Sequence, residues 1–123
     1  MLKHLLPLTL AAALGGCVTV PKANEDGSFE VRLGQKVDVG GPKVTPLRVL
    51  EDSRCPMEAR CVWAGRVRLE VRVDGRLAEL ASDRPLPLAN GSVELVNVMP
   101  PRSMQRRIEA GDYRFTLKFN PGR

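Results

Sequence analysis

RVRLEVRVDGRLAELA, residues 66–81, decides the fold of this chain. Val67, Leu69, Val71 and Val73 alternate with Arg66, Arg68, Glu70 and Arg72. A period of two puts the apolar row on one face of a strand and the charged row on the other. A strand with one wet face belongs to an antiparallel sheet. Asp74-Gly75 follows at once, a two-residue hairpin signal, so a partner strand is predicted over residues 76–81.

The same period recurs on both sides. Upstream, Phe29, Val31 and Leu33 alternate with Glu30 and Arg32, and Leu47 and Val49 alternate with Arg48 after Pro46. Proline has no N–H for the ladder, so Pro46 belongs at a strand start or edge. Downstream, Asn90-Gly91 is a second hairpin signal, joining Leu86-Pro87-Leu88 to Val93-Glu94-Leu95. After Leu95 the alternation changes phase, because Val96 and Val98 are both apolar, which predicts a bulge. The last strand sets Tyr113, Phe115, Leu117 and Phe119 against Arg114, Thr116 and Lys118. Helical character is confined to residues 103–110 and amounts to a single turn. Seven or eight short strands punctuated by Gly and Pro predict an all-β antiparallel β-sandwich, immunoglobulin-like, or a small barrel, over residues 29–120. Ala110-Gly111-Asp112-Tyr113 resembles the Gly-x-Tyr entry to the final strand of immunoglobulin-like sandwiches.

The front of the chain carries an address. A basic start, Met1-Leu2-Lys3-His4, leads into an apolar run over residues 5–14, broken only by Pro7 and Thr9. As a helix that run covers about 15 Å, half of a ~30 Å hydrocarbon core, so it reads as an export signal and not a span. Leu14-Gly15-Gly16-Cys17 resembles the bacterial lipobox. The resemblance implies cleavage after residue 16, diacylglycerol on the Cys17 sulfur and acylation of the new amino group. The alternative is a plain secretory signal that leaves Cys17 in the mature chain. Two or three acyl chains anchor stably where one does not. Val18 in place of Asp resembles outer-membrane sorting, so the expected location is the bacterial cell envelope, lipid-anchored at the outer membrane and facing the periplasm. Residues 18–28, polar and short of large apolar side chains, read as a tether about 35 Å long when extended.

Removing sixteen residues from 123 leaves 107, one domain with enough chain for a core. The only histidine, His4, leaves with the leader. So does Lys3, leaving 18 Lys and Arg against 14 Asp and Glu, a net of +4. That mild surplus, without dense clustering, and the compartment argue against a nucleic-acid partner.

Cys55 and Cys61 then stand alone in an oxidising compartment, enclosing Pro56-Met57-Glu58-Ala59-Arg60. The spacing is not Cys-x-x-Cys, and zinc would lack its third and fourth ligands. A disulfide closing a small loop is the expectation. Asp52 and Ser53 are placed to accept backbone N–H bonds that start the turn. Trp63 is expected to pack its ring on the bridge and core, or else to stack on a ligand, and Gly65 to allow a close backbone approach.

The pattern Asp-Ser-Arg-Cys-Pro-x4-Cys-Val-Trp-Ala-Gly, standing at residues 52–65, resembles a family of small exported bacterial proteins and lipoproteins. The resemblance covers residues 29–119 and implies export, a disulfide and an all-β domain. It carries no catalytic residue across.

Three classes of function compete. The first is a non-enzymatic structural or binding module, partnered by the membrane through its anchor and by an envelope protein or an anionic envelope component. Its candidate contacts are Arg60, Trp63, Arg66, Arg68 and Arg72, with Arg114 and Lys118 on the last strand. The plainer role for the strand arginines is to solvate an outer sheet face and guard its edges. The second is a protease inhibitor that presents Arg60 on the disulfide-closed loop to a trypsin-like pocket. The third, an enzyme, lacks support: the mature chain has no histidine, no Ser-x-x-Lys, and its adjacent Glu51 and Asp52 point to opposite faces of a strand. No cofactor is implied. Calcium on Glu51, Asp52 and loop carbonyls lacks the EF-hand spacing, so no metal is expected.

Overall fold

The structure, a computed structural model, describes residues 21–122; the expected export signal and the expected lipidation at Cys17 lie outside the described residues. Eight strands form in chain order: β1 (Phe29–Val31), β2 (Val37–Asp38), β3 (Lys43–Asp52), β4 (Val67–Val73), β5 (Arg76–Ala81), β6 (Leu86–Leu88), β7 (Gly91–Met99) and β8 (Arg114–Pro121). They make two four-stranded antiparallel sheets, ordered β1-β8-β7-β6 and β2-β3-β4-β5. This is the sandwich and not the barrel. Its connectivity is two consecutive meanders with β1 added beside β8, whereas immunoglobulin domains interleave their strands between sheets.

The apolar rows read in the sequence meet between the sheets. Val67, Leu69 and Val71 of β4 and Leu80 of β5 face Val93 and Leu95 of β7 and Phe115 and Leu117 of β8. Burying each such side chain contributes about 1.5–3 kcal/mol before the cost of ordering the chain. Asp74 and Gly75 turn the β4–β5 hairpin with φ of 47° and 86°. The Asp74 carboxylate accepts from the Lys43 N–H at 2.9 Å, which stitches that turn to the start of β3.

Two strands depart from simple alternation. In β7 the register slips between Leu95 and Asn97, so Val96 is the extra residue and stays exposed. That is the predicted bulge. In β3 there are two slips, between Pro46 and Arg48 and between Val49 and Glu51. Strand β3 therefore begins at Lys43, earlier than the sequence suggested, with Val44 and Pro46 buried and Leu47 as an extra residue. Pro46 sits inside the strand. Its carbonyl accepts from the Gly34 N–H at 2.7 Å, on the flank away from β4. A residue's N and C=O share a flank in an extended strand, so the missing N–H takes nothing from the β3–β4 ladder. β2 pairs only with Lys43 and Val44, so beyond them this flank is an edge.

The polar lead-in is partly folded. Ala23 bridges to Phe29, and between them a tight turn is held by the Asn24 N–H on the Ser28 carbonyl (2.7 Å) and by Asp26, which accepts from the Ser28 hydroxyl (2.6 Å). Residues 103–109 hold no helical turn; the one helical turn among the described residues is a 3-10 turn at Ala110–Asp112, just before β8.

Candidate functional site

Asp52 closes β3, Val67 opens β4, Met99 closes β7 and Arg114 opens β8, so the loops 53–66 and 100–113 emerge at one end of the sandwich. Arg54 joins them. Its Nε and Nη2 donate to the two oxygens of Asp52 at 2.8 and 2.9 Å. Its Nη1 donates to the Val98 carbonyl at 2.9 Å, and Nη2 also to the Pro100 carbonyl at 3.0 Å. Arg102 closes the ring by donating to the Arg54 carbonyl at 2.7 Å. One guanidinium thus ties the end of β3 to the end of β7, across the two sheets.

Tyr113 supplies the other hand. Its hydroxyl donates to Asp52 at 2.9 Å while its ring stacks on Phe115, with centroids 5.6 Å apart. Burial, the hydrogen bond to Asp52 and that carboxylate's charge push the tyrosine pKa up to about 12. Burial would raise Asp52, but the bonds from Arg54 and Tyr113 and the guanidinium charge outweigh it and hold Asp52 below its ordinary value. Both Asp52 oxygens are occupied and the acid is held ionised. That is the geometry of a structural clamp.

Cys55 and Cys61 are joined as a disulfide, with Cα atoms 5.8 Å apart. Inside the loop, the Ala59 N–H donates to the Pro56 carbonyl at 3.1 Å, making a turn with Met57 and Glu58 at its tip. The tip lies on the second loop: the Met57 N–H donates to the Arg102 carbonyl at 2.9 Å. The Glu58 carboxylate accepts from the Met104 N–H at 2.9 Å and from the Ser103 hydroxyl. Those two bonds hold Glu58 below its ordinary pKa. The two loops are one clamped surface, with a cleft of about 550 Å³ between Asp52, Tyr113 and the tract 102–108.

Trp63 is placed otherwise than expected. The residue is 58 % exposed, and its Nε1–H donates to the Ser53 carbonyl at 3.2 Å. It lies neither in the core nor under cover. Gly65 explains the geometry: with φ at +68°, a Cβ there would fall 2.2 Å from the Ser53 oxygen. The chain after Cys61 is thus pressed against Ser53 and Arg54, leaving Val62 fully exposed and the indole turned outward.

The strand arginines do not form one free basic face. Arg68 donates to Glu51 at 3.0 Å and to Glu79 at 2.8 Å. Arg66 reaches Glu51 at 3.2 Å and Asp83 at 3.4 Å. The Ser53 hydroxyl, then Arg68 and Arg66, hold Glu51 below its ordinary pKa. Arg72 lies toward the opposite end, beside Lys36, Lys43 and Asp74. Arg114 sits 3.9 Å from Glu30. Arg60 is exposed in the clamped loop and has no ion pair among the described residues. The structure therefore brings Arg60 and Trp63 to one end and separates them from Arg72.

Sequence reasoning passed over Arg54, Arg102 and Tyr113, the residues that build this end. Asp52-x-Arg54 and the single tyrosine were visible, but nothing local says which carbonyls a guanidinium will meet forty-odd residues away. Among the described residues no group of three or more His, Cys, Asp or Glu side chains could hold a metal ion. The fold and this end define a disulfide-clamped all-β sandwich. Compared with protein-family models, curated proteins and solved structures, the chain matches none.

Proposed function

We propose that the chain is a lipid-anchored, non-enzymatic binding module of a bacterial cell envelope, held through Cys17 at the outer membrane and facing the periplasm. The observation that carries the binding reading is the clamped end of the sandwich. The disulfide, the Glu58 bonds and the Arg54 ring fix two loops in one conformation, yet Met57, Val62, Trp63 and Met104 stay exposed on them. A surface of fixed loops that leaves Trp, Met and Arg in water has the composition of a contact surface and loses little entropy on docking. The clamp also supports a non-catalytic role, because Asp52 is fully used in holding Arg54 and Tyr113. The anchor rests on the lipobox-like Leu14-Gly15-Gly16-Cys17.

Membrane fractionation tests the anchor. Wild-type protein should sediment with membranes and dissolve in detergent, whereas Cys17→Ala should be released to the soluble periplasmic fraction. A Cys17→Ala protein that still sediments refutes lipid anchoring.

A second reading, a trypsin-like protease inhibitor, rests on Arg60, exposed beside the disulfide without an ion-pair partner among the described residues. Purified domain should then slow such a protease, and Arg60→Ala should abolish the effect. Equal inhibition by both proteins, or rapid cleavage at Arg60, removes this reading.

A further inference from the structure

We infer that the clamped end of the sandwich is the lipid-facing end, and that it rests on the anionic phospholipid headgroups of the membrane that holds the anchor. This rests on the lipid-anchor reading above and adds to it an orientation and a contact surface.

The direction of the chain is the first ground. Ala23 bridges antiparallel to Phe29, so the backbone before it runs back along β1. Pro21 and Lys22 border a groove with Val31 and Arg32. Val31 pairs with Phe115, one residue inside the start of β8, and Arg32 reaches the Gly111 carbonyl at 3.5 Å. The chain therefore arrives at the domain on the side of the clamped loops. Three residues lie between Cys17 and Pro21, so four steps of chain reach about 13 Å at full extension, between one and two Debye lengths of about 8 Å. The folding of residues 23–28 into a turn is what makes the link this short.

The second ground is what the end presents. Trp63, Val62, Met57 and Met104 are exposed there, and a water-exposed Trp among apolar side chains and arginines is the mixture that settles at a bilayer interface. The tract 102–107 holds Arg102, Arg106 and Arg107 and no acid. The nearby acids are turned to internal work: Asp52 to Arg54 and Tyr113, Glu58 to Ser103 and Met104, Asp112 to the Glu109 N–H at 3.0 Å. Glu109 is 4.0 Å from Arg107, with both side chains well exposed. Arg48, Arg66 and Arg68, by contrast, are matched to Glu51, Glu70, Glu79 and Asp83. Attached through its anchor, the domain meets headgroups at high effective concentration, so individually weak contacts suffice to orient it.

Trp63 is the only tryptophan, which gives a site-specific reporter. The full lipidated chain would be reconstituted into phosphatidylcholine vesicles with and without phosphatidylglycerol, each prepared with acyl chains brominated near the headgroup. Flotation reports the anchor, and quenching of Trp63 emission reports contact of this end with lipid. Quenching is expected in the anionic vesicles. It should be lost in Arg106→Gln/Arg107→Gln and at raised salt, with every sample still floating. Protein that floats with Trp63 unquenched in anionic vesicles overturns the orientation while leaving the anchor standing. Quenching that neither salt nor the double substitution reduces overturns the headgroup contact. Protein that fails to float overturns the anchor and this inference together.

Discussion

Asp52 is the residue on which the two sheets are pinned, and it is held from both sides. Arg54 covers its two oxygens and Tyr113 adds a hydroxyl, with the Asp52 and Arg54 side chains only 10 % and 21 % exposed. Removing one partner from so covered a pair leaves the other unpaired. Asp52→Ala should therefore cost about 3 kcal/mol, the lower end for buried pairs, measured by urea unfolding. A loss below a few tenths of a kcal/mol would mean that the clamp is ornamental. Tyr113 gives a sharper test because it is the only tyrosine. Its tyrosinate absorbance should rise with a midpoint near 12, against the ordinary 10.0, and Asp52→Asn should bring the midpoint down. The sign for stability follows: the folded pKa is raised, so the contribution is whole below pH 10 and is lost as pH climbs from 10 toward 12. Tyr113→Phe should flatten that alkaline loss. A single transition at pH 10 would show that the hydroxyl does not meet Asp52 in solution.

Among the elements, the strands were legible and the loops were not, for one physical reason. Strand β4 announces itself because its burial pattern repeats every two residues within a single stretch, and the turns at Asp74-Gly75 and Asn90-Gly91 are marked by residues that tolerate unusual backbone angles. The bulge at Val96 showed as a break in phase, whereas the bulges of β3 did not, because Val44, Pro46, Leu47, Val49 and Leu50 mix two phases within seven residues. The clamped end was half legible. The disulfide followed from cysteine arithmetic, but the outward set of Trp63 depends on Gly65 lying on Ser53, and the pairing of Arg66 and Arg68 depends on Glu51 and Glu79 from neighbouring strands. The disulfide's own worth can be measured. Cys55→Ala with Cys61→Ala removes a small closed loop, for an expected loss of about 2 kcal/mol by loop-closure entropy. The fold should persist, since the core between β4, β5, β7 and β8 does not include the loop. Because Trp63 is already 58 % exposed, its emission should hardly move. A large red shift on removing the bridge would show that Trp63 is covered in solution. Gly65→Ala should cost more than its single methyl suggests, roughly 1–2 kcal/mol for the left-handed backbone alone, with the close approach to Ser53 added.

The whole molecule is held at its turns by carboxylates, and this sets its behaviour in acid. Asp26 is lowered by the Ser28 hydroxyl and N–H, Asp38 by the N–H groups of Gly40 and Gly41, and Glu58 by Ser103 and Met104. Glu51 is lowered first by Ser53, and Asp52 by Arg54 and Tyr113 against its burial. These five acids secure the lead-in turn, the β2–β3 turn, the strand network and both loops of the clamped end. The unfolded chain titrates near 3.8 for Asp and 4.5 for Glu, and each folded value lies lower. A lowered pKa stabilises the fold above the unfolded value and is lost as pH falls through the folded one. The unfolded state therefore takes up more protons as pH falls below about 5, and stability drops from there. Charge adds to it: with the acids neutralised, the arginines and lysines of the chain repel one another with nothing opposing them. The urea midpoint, followed by far-ultraviolet circular dichroism, should stay level between neutral pH and about 5 and fall steeply below 4. Added salt should recover the part due to repulsion and not the part due to the lost turn bonds. If the midpoint at pH 3 equals that at pH 7, the carboxylates are bystanders, and the turns are held by backbone geometry alone.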